Sequence, residues 1–194
     1  MNPPAIDPRK SALVLIDLQQ GIVGRQLAPR PGPEVVRNAA RVAARFRELG
    51  ATVVLVRVAF QADLKDLLNA PADVPAPFNP SSLPPNWSEL APEIGPLPGD
   101  LVVTKRQWGA FYGTDLDLQL RRRDVRTIVL GGISTNIGVE STARSAYEHG
   151  YAQVFVEDAM TSHSAEAHDF AVKNIFPRIG LVRSTAEVLA ALAQ

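Results

Sequence analysis

The chain has 194 residues, with 20 basic and 20 acidic side chains and no cysteine. Zero formal net charge leaves no electrostatic footprint for nucleic acid or an anionic membrane, so we expect neither as a partner. The lack of cysteine excludes disulfides, thiolate metal sites and a cysteine nucleophile. The length fits one domain over residues 1–194.

The N-terminal segment Met1 to Lys10 is rich in proline and lacks the apolar run of a signal peptide. No apolar run in the chain approaches the ~20 residues that a membrane-spanning helix needs. The basic cluster Arg121 to Arg123 has acidic neighbours and is typical of a solvated helix end. We therefore expect a cytoplasmic protein.

The predicted strands are six short apolar runs spaced along the chain. Their apolar residues are mostly continuous rather than alternating, which is typical of strands buried on both faces of a parallel sheet. In chain order the runs are Ala12–Ile16, Thr52–Val58, Leu101–Thr104, Thr127–Ile133, Ala152–Val156 and Gly180–Arg183.

Helical patterns occupy most of the segments between these runs. Gly50 and Pro177 mark two predicted helix ends, and Ser184 with Glu187 predicts a capping box. The alternation of strand and helix predicts a three-layer α/β/α doubly wound (Rossmann-like) sandwich with a mostly parallel six-stranded sheet. The predicted helices are Pro33–Leu49, Thr114–Arg123, Asn136–Glu148, Ala165–Phe176 and Ser184–Ala193.

Residues 60–100 interrupt the alternation. Nine of the 16 prolines lie between Pro71 and Pro98. We predict a long irregular excursion, ordered in part by Trp87. It either walls or covers a site, or it is an insertion without a function of its own.

Three polar features follow predicted strands. Asp17 comes after the first run, Lys105 after the third, and the small-residue turn Ser134–Gly138 after the fourth. In open α/β sheets, ligands bind beyond the carboxyl ends of the strands. A carboxylate placed after five apolar residues is costly to bury without a partner, and Lys105 is the candidate partner. We therefore predict one site built from all three features.

The turn Ser134–Gly138 leads from a buried strand into a predicted helix. Backbone N–H groups at a helix start have no partner within the helix and point into the turn. Gly138 faces that space, although a glycine inside a helix costs about 1 kcal/mol relative to alanine. Room for a ligand against bare backbone is a reason to keep glycine there.

Taken together, three segments resemble the isochorismatase-like hydrolase family. They occur in that family's order, and the family's α/β layout covers nearly the whole chain. The segments are Leu15–Gln19, Lys105–Leu116 and Gly132–Arg144. Most members hydrolyse amides with an Asp–Lys–Cys triad. Asp17 and Lys105 match its first two members, and Gly138 stands at the cysteine position.

The resemblance implies a hydrolase that acts on a small carboxylated substrate without a covalent cysteine intermediate. Isochorismatases proper also carry glycine at this position and hydrolyse a vinyl ether. Their Asp acts as general acid toward the enol carbon, and water attacks the resulting oxocarbenium ion. By resemblance Asp17 is the acid/base, and Lys105 either binds a substrate carboxylate or orients Asp17. Burial raises the pKa of Asp17 and Lys105 lowers it, so their balance stays open.

The resemblance also implies a non-proline cis peptide at Ile133–Ser134. The backbone N–H groups of Ser134 and Gly138 would then bind an anionic or carbonyl oxygen. Isochorismatases proper carry bulkier residues, including a His, at 134–136, and this departure leaves the substrate open. The Asp-x-His metal pattern of nicotinamidase-like relatives is missing from Arg57–Asp63, so we expect neither metal nor cofactor. Family members usually form dimers or tetramers, which implies a homodimer or homotetramer.

The predicted substrate-binding residues lie within the three matching segments. Trp108, Phe111 and Tyr112 suggest an aromatic wall for a planar or cyclic substrate, with packing at a subunit contact as the alternative. The full predicted set is Gln19, Trp108, Phe111, Thr135 and Asn136.

The remaining candidate groups are hydroxyls and histidines. Ser134 and Thr135 have no nearby His in sequence, so capping or turn roles are favoured over nucleophilic ones. His163 follows the fifth run and is placed to reach the cleft, whereas His168 has the position of a packed helix residue. His149 at a helix end complements the helix dipole.

Two further functions stay open. Loss of the nucleophile is compatible with a catalytically silent ligand-binding or assembly protein. Against this, an unneeded buried pair such as Asp17–Lys105 can often be replaced by apolar residues without loss. Alternatively, directly activated water hydrolyses an amide, which predicts ammonia release.

Overall fold

The strands form one parallel sheet at the centre of the molecule. The computed structural model describes residues 6–68, 70–74 and 83–192. Across the sheet the strand order is β3-β2-β1-β4-β5-β6, and every neighbouring pair is parallel. In chain order the strands are β1 (Ser11–Ile16), β2 (Thr52–Val58), β3 (Leu101–Lys105), β4 (Thr127–Ile133), β5 (Ala152–Thr161) and β6 (Leu181–Arg183).

Seven α-helices of the described residues cover the sheet. A π-helical turn, Thr135–Val139, leads directly into the fourth helix, and a second one, Ala171–Ile175, joins the fifth to the sixth. A 3₁₀ turn, Pro8–Lys10, precedes β1. The helices are α1 (Gln20–Val23), α2 (Gly32–Glu48), α3 (Leu116–Arg122), α4 (Glu140–Glu148), α5 (Ala165–Phe170), α6 (Phe176–Ile179) and α7 (Thr185–Ala191).

Helices cover both faces of the sheet, as the continuous apolar runs predict. Successive side chains of a strand point to opposite faces. Leu13 and Leu15 of β1 belong to an apolar cluster with α2 and α7, whereas Val14 and Ile16 belong to a second cluster with α3 and α4. The three-layer α/β/α sandwich is therefore confirmed, and its sheet is wholly parallel.

Two predicted element ends were wrong. β5 continues five residues beyond Val156, and its register with β4 shifts between Leu130 and Gly132. The helix predicted to end at Phe176 instead continues as α6 through Pro177. Proline at the first turn of a helix is tolerated because the N–H that it lacks would have no partner there.

The capping box at α7 is confirmed, with Ser184 and Glu187 bonded reciprocally. Residue 193, the predicted end of this helix, lies outside the described residues. Within those residues, no helix combines the length and apolar character needed to cross a membrane.

The described part of the Pro-rich excursion, which excludes residues 69 and 75–82, packs back onto the sheet end. Arg47 of α2 fastens it by donating to both carboxylate oxygens of Asp100, at 3.1 and 2.7 Å, and to Ile94 O at 2.6 Å. Gly21 N donates to Trp87 O at 3.1 Å, and the Trp87 ring stacks on Phe60. These contacts agree with the predicted ordering by Trp87.

The sheet order places the site. It runs outward in opposite directions from β1 and β4, so the crevice at their carboxyl ends is the topological switch point of the fold. Asp17 directly follows β1, and Ser134 directly follows β4. Lys105 is the last residue of β3, which lies on the same edge.

Candidate active site

Asp17 and Lys105 form a buried ion pair at the carboxyl edge of the sheet. Lys105 Nζ lies 2.8 Å from Asp17 Oδ2, and the two residues are only 2% and 6% exposed. Asp17 adopts a left-handed backbone conformation (φ 53°), and its N–H donates to Val56 O at 2.9 Å. This sharp departure from β1 turns the carboxyl group toward Lys105.

All three N–H bonds of the Lys105 ammonium are used inside the protein. Besides Asp17 Oδ2, Lys105 Nζ donates to Gln107 O at 3.1 Å and to Trp108 O at 2.9 Å. An ammonium has three donors and no acceptor. Of the two roles that the sequence leaves open for Lys105, the geometry therefore favours orienting Asp17 over binding a substrate carboxylate.

The two carboxyl oxygens of Asp17 differ in their hydrogen bonding, since only Oδ2 accepts from Lys105. Oδ1 is buried and has no hydrogen-bond partner within the described residues. Burial raises the pKa of Asp17 and outweighs the opposing effects of Lys105 and of the nearby Val58 N–H, so the pKa lies above its usual range. A buried carboxyl oxygen without a partner is either protonated or poised to receive a hydrogen bond from a ligand.

The elbow after β4 supplies the opposite side of the site. The Ile133–Ser134 peptide is cis, as the resemblance implies, and the π-helical turn begins at Thr135. Thr142 Oγ1 donates to Gly138 O at 2.7 Å and accepts from Ala110 N at 3.1 Å. Thr142 therefore ties the elbow to the segment that follows Lys105.

Gly138 leaves a space beside the ion pair. A Cβ at this position would lie 3.1 Å from Ile16 Cγ2, 3.3 Å from Asp17 Oδ2 and 3.4 Å from Trp108 O. Carbon atoms in ordinary contact are about 3.5–4.0 Å apart. The absence of a side chain therefore keeps the carboxyl group of Asp17 accessible.

A cavity of about 240 Å³ opens over these residues. Asp17, Lys105, Ser134 and Gly138 form its floor and Trp108 lies in its wall. The Pro-rich excursion completes the wall with the apolar side chains of Phe60, Leu67, Leu68 and Trp87. It therefore walls the cavity, which is one of the two roles predicted for it from the sequence.

Three further basic side chains line the cavity, and sequence reasoning identified only His163. Arg106 is paired with Asp66 through its Nε. Arg25 donates from Nε to Gly21 O at 2.9 Å. No sequence motif marks Arg25, because its place at the cavity depends on how α1 packs. From the sequence, Arg25 could have been found only by considering every basic residue that closely follows Asp17.

The side chains of two predicted substrate-binding residues, Gln19 and Phe111, lie outside the cavity and bond or pack within the protein. Gln19 is fully buried, and its amide bonds both backbone groups of Val58, at 2.9 and 2.7 Å. Phe111 lies in the apolar cluster with α3 and α4, where its ring stacks on His149 and meets Tyr151 at a tilt. Of the predicted aromatic wall, only Trp108 lines the cavity.

Thr135 and Asn136 also support the elbow rather than line the cavity. Thr135 Oγ1 lies 2.8 Å from His168 Nδ1, and His168 Nε2 lies 3.2 Å from Glu157 Oε1. Asn136 Oδ1 accepts a short hydrogen bond from Ser162 Oγ. Thr135 and His168 are both buried, so these hydrogen bonds hold the elbow in place and keep the Thr135 hydroxyl away from the cavity. His168 is packed, as predicted.

Within the described residues, no group of three or more His, Asp or Glu side chains is arranged to hold a metal ion. The cavity presents one carboxyl group, that of Asp17, which is held by Lys105 at Oδ2 and has no hydrogen-bond partner at Oδ1 within the described residues. A helix start lies beside it.

Comparison with known proteins shows the isochorismatase family along almost the whole chain. Residues 11–187 match the isochorismatase domain. The chain is 51% identical over 189 residues to the isochorismatase family protein YwoC of Bacillus subtilis (strain 168), covering 97% of both chains. A solved isochorismatase family protein from Burkholderia thailandensis superposes with a TM-score of 0.93 at 49% identity, over 98% of this chain and 99% of that one.

A more distant relative carries a named activity. The ureidoacrylate amidohydrolase RutB of Cronobacter sakazakii (strain ATCC BAA-894) is 28% identical over 214 residues. The alignment covers 94% of this chain and 89% of that protein. The named relative and the family together indicate hydrolysis.

Proposed function

The chain belongs to the isochorismatase family of hydrolases, and we propose that it hydrolyses a small carboxylated substrate with Asp17 as general acid. No covalent intermediate forms, because the position that carries the nucleophile in cysteine-dependent relatives is Gly138. Lys105 acts as a positioning residue that holds Oδ2. The backbone N–H groups of Ser134 and Gly138 supply donors for an oxygen of the substrate.

The observation that carries this proposal is the buried carboxyl group of Asp17, whose Oδ2 borders the space at Gly138 and whose Oδ1 has no hydrogen-bond partner within the described residues. A general acid must hold its proton at the working pH and must present it to the substrate. The raised pKa of Asp17 supports the first requirement, and its place in the cavity lining beside Gly138 supports the second.

The proposed reaction is hydrolysis of a vinyl ether. The Asp17 carboxyl group protonates the terminal enol carbon, and the former double-bond electrons form the new C–H bond. The resulting oxocarbenium carbon is attacked by water, which gives a hemiketal after loss of a proton to the Asp17 carboxylate. Collapse of the hemiketal to a ketone breaks the C–O bond and releases the alcohol, so no oxidant or cofactor is consumed.

The test is pyruvate release from isochorismate by the purified protein, measured across pH with a coupled assay. An acid role for Asp17 predicts a rate that falls as the pH rises through its raised pKa. A rate that rises over the same range would contradict this role. Absence of pyruvate release would remove isochorismate as the substrate.

Amide hydrolysis is the second candidate, supported by the relationship to the ureidoacrylate amidohydrolase. In this reaction ionised Asp17 acts as general base and activates a water molecule in the space at Gly138. A raised pKa makes ionised Asp17 a stronger base. Because only the ionised form acts as a base, the rate of this reaction would rise with pH, opposite to the vinyl-ether reaction. Ammonia release from small amides and ureido compounds, with that pH profile, would favour this reaction over vinyl-ether hydrolysis.

A further inference from the structure

We propose that Arg25 is the anchor for the substrate carboxylate, and that the cavity therefore selects small carboxylates over neutral molecules of the same shape. This inference rests on the proposed function, because it concerns the same cavity. It assigns the anionic group of the substrate to a residue that no sequence motif marks.

Lys105 and Arg106, the other two permanently charged cations of the cavity, already have partners inside the protein. Lys105 uses its three donors on Asp17 and two backbone carbonyl oxygens. Arg106 is paired with the carboxylate of Asp66. At Lys105 an incoming carboxylate would have to displace an internal partner, and at Arg106 it would meet a guanidinium whose charge Asp66 already balances.

Arg25 differs from both. It lines the cavity and is half-buried. The only hydrogen bond of its side chain within residues 6–68, 70–74 and 83–192 runs from Nε to Gly21 O, and no carboxylate there pairs with it. Toward this described part of the chain, the two Nη groups therefore keep their four N–H donors. A planar guanidinium with free donors fits a carboxylate in a two-point arrangement.

The position of Arg25 is fixed by the packing of α1. Gly21, which accepts from Arg25 Nε, lies so close to the excursion that a Cβ there would be 2.8 Å from Trp87 Cβ. Gly21 N also donates to Trp87 O. The carbonyl oxygen that holds Arg25 is thus itself held in place, which lowers the entropy lost when a ligand binds.

The charges of the cavity agree with an anionic ligand. Asp17 balances Lys105, and Asp66 balances Arg106, so the charge of Arg25 has no counterpart among the described lining residues. When Asp17 is protonated, the charge of Lys105 is also uncompensated. A bound anion in turn disfavours ionisation of Asp17, which keeps its proton available for catalysis.

The experiment compares two probes of nearly equal shape, benzoate and benzamide, by titration calorimetry. We expect the wild-type protein to bind benzoate about ten-fold or more tightly, the ratio for a charge-assisted hydrogen bond. Arg25→Gln should abolish this preference, and Arg25→Lys should keep part of it because the charge remains. Arg41→Gln, which removes an exposed arginine on α2, is the matched control and should keep all of it.

The inference is overturned if the wild-type protein shows no preference for benzoate. It is also overturned if Arg25→Gln keeps the preference, or if His163→Gln removes it while Arg25→Gln does not. Circular dichroism and thermal unfolding of each variant show that the compared proteins are folded.

Failure of this inference and failure of the proposed function give different results, because binding needs no turnover. Arg25-dependent binding of benzoate by a protein that hydrolyses nothing would keep the anchor and reject the proposed function. Hydrolysis that depends on Asp17, with probe binding indifferent to Arg25, would do the reverse.

Discussion

The substitution Gly138→Ala tests whether the space beside the ion pair is used in the reaction. The added methyl group would lie 3.1 Å from Ile16 Cγ2, 3.3 Å from Asp17 Oδ2 and 3.4 Å from Trp108 O. None of these neighbours is the end of a long flexible side chain. The carboxyl group of Asp17 is held by Lys105, which also donates to Trp108 O.

The expected effect on stability is small because two contributions oppose each other. Crowding in a packed region costs about 1–3 kcal/mol. Replacing a glycine inside a helix by alanine returns about 1 kcal/mol. We therefore expect the free energy of unfolding to fall by roughly 0–2 kcal/mol, the difference between these two terms.

The expected effect on activity is large. The methyl group occupies the place where a water molecule or a substrate atom would approach Asp17. Misplacing reacting groups by 1 Å costs on the order of 100-fold in rate, and we expect a loss of kcat/KM of about that size. The substrate is the one identified by pyruvate or ammonia release.

Gly109→Ala is the matched control. A Cβ at Gly109 meets its nearest neighbour, Ser141 Cβ, at 3.6 Å, which is ordinary contact. Gly109→Ala should therefore leave both the free energy of unfolding and kcat/KM unchanged. If Gly138→Ala retained wild-type kcat/KM, the space at Gly138 would play no part in the reaction.

Three further predictions concern pH and stability. With Asp17 as general acid, kcat/KM should fall as the pH rises, and the midpoint of this fall should lie above the ordinary Asp pKa of 3.8 because burial raises the pKa of Asp17. A midpoint at 3.8 would refute this role. Thr135→Val leaves His168 Nδ1 buried without its partner and should lower the unfolding free energy in urea by about 1–3 kcal/mol; wild-type stability would contradict the buried bond. Arg47→Gln leaves Asp100 buried and unpaired, and should cost roughly 3 kcal/mol in the same assay, whereas exposed Arg41→Gln should cost little.

Most strands could be predicted from the sequence because their apolar runs are continuous. The far half of β5 could not, since Glu157 and Asp158 interrupt the run. Both carboxylates have partners that only the fold brings together. Glu157 pairs with Arg30 and lies beside His168, and Asp158 accepts from Thr185 of α7.

The floor of the cavity was predictable for a topological reason. Parallel strands carry their carboxyl ends to one edge, so polar residues that follow such runs meet there. The sequence does not reveal which way a side chain turns at that edge. Gln19, Thr135 and Asn136 all lie within matching segments, yet each bonds to the protein itself.

The saturation of Lys105 could not be predicted either. Its two additional acceptors are carbonyl oxygens of Gln107 and Trp108, and every residue has such an oxygen whatever its side chain. The place of Arg25 in the cavity depends in the same way on backbone contacts, those between Gly21 and Trp87. Side-chain patterns carry no information about either.

The most direct test of the central claim is the rate of substrate hydrolysis by Asp17→Asn. The amide can still accept from Lys105 but has no acidic proton to give, so we predict a folded protein whose kcat falls by about 10²–10⁴-fold. Asp115→Asn, at an exposed position, should hydrolyse at the wild-type rate. Wild-type turnover by a folded Asp17→Asn protein would contradict the account.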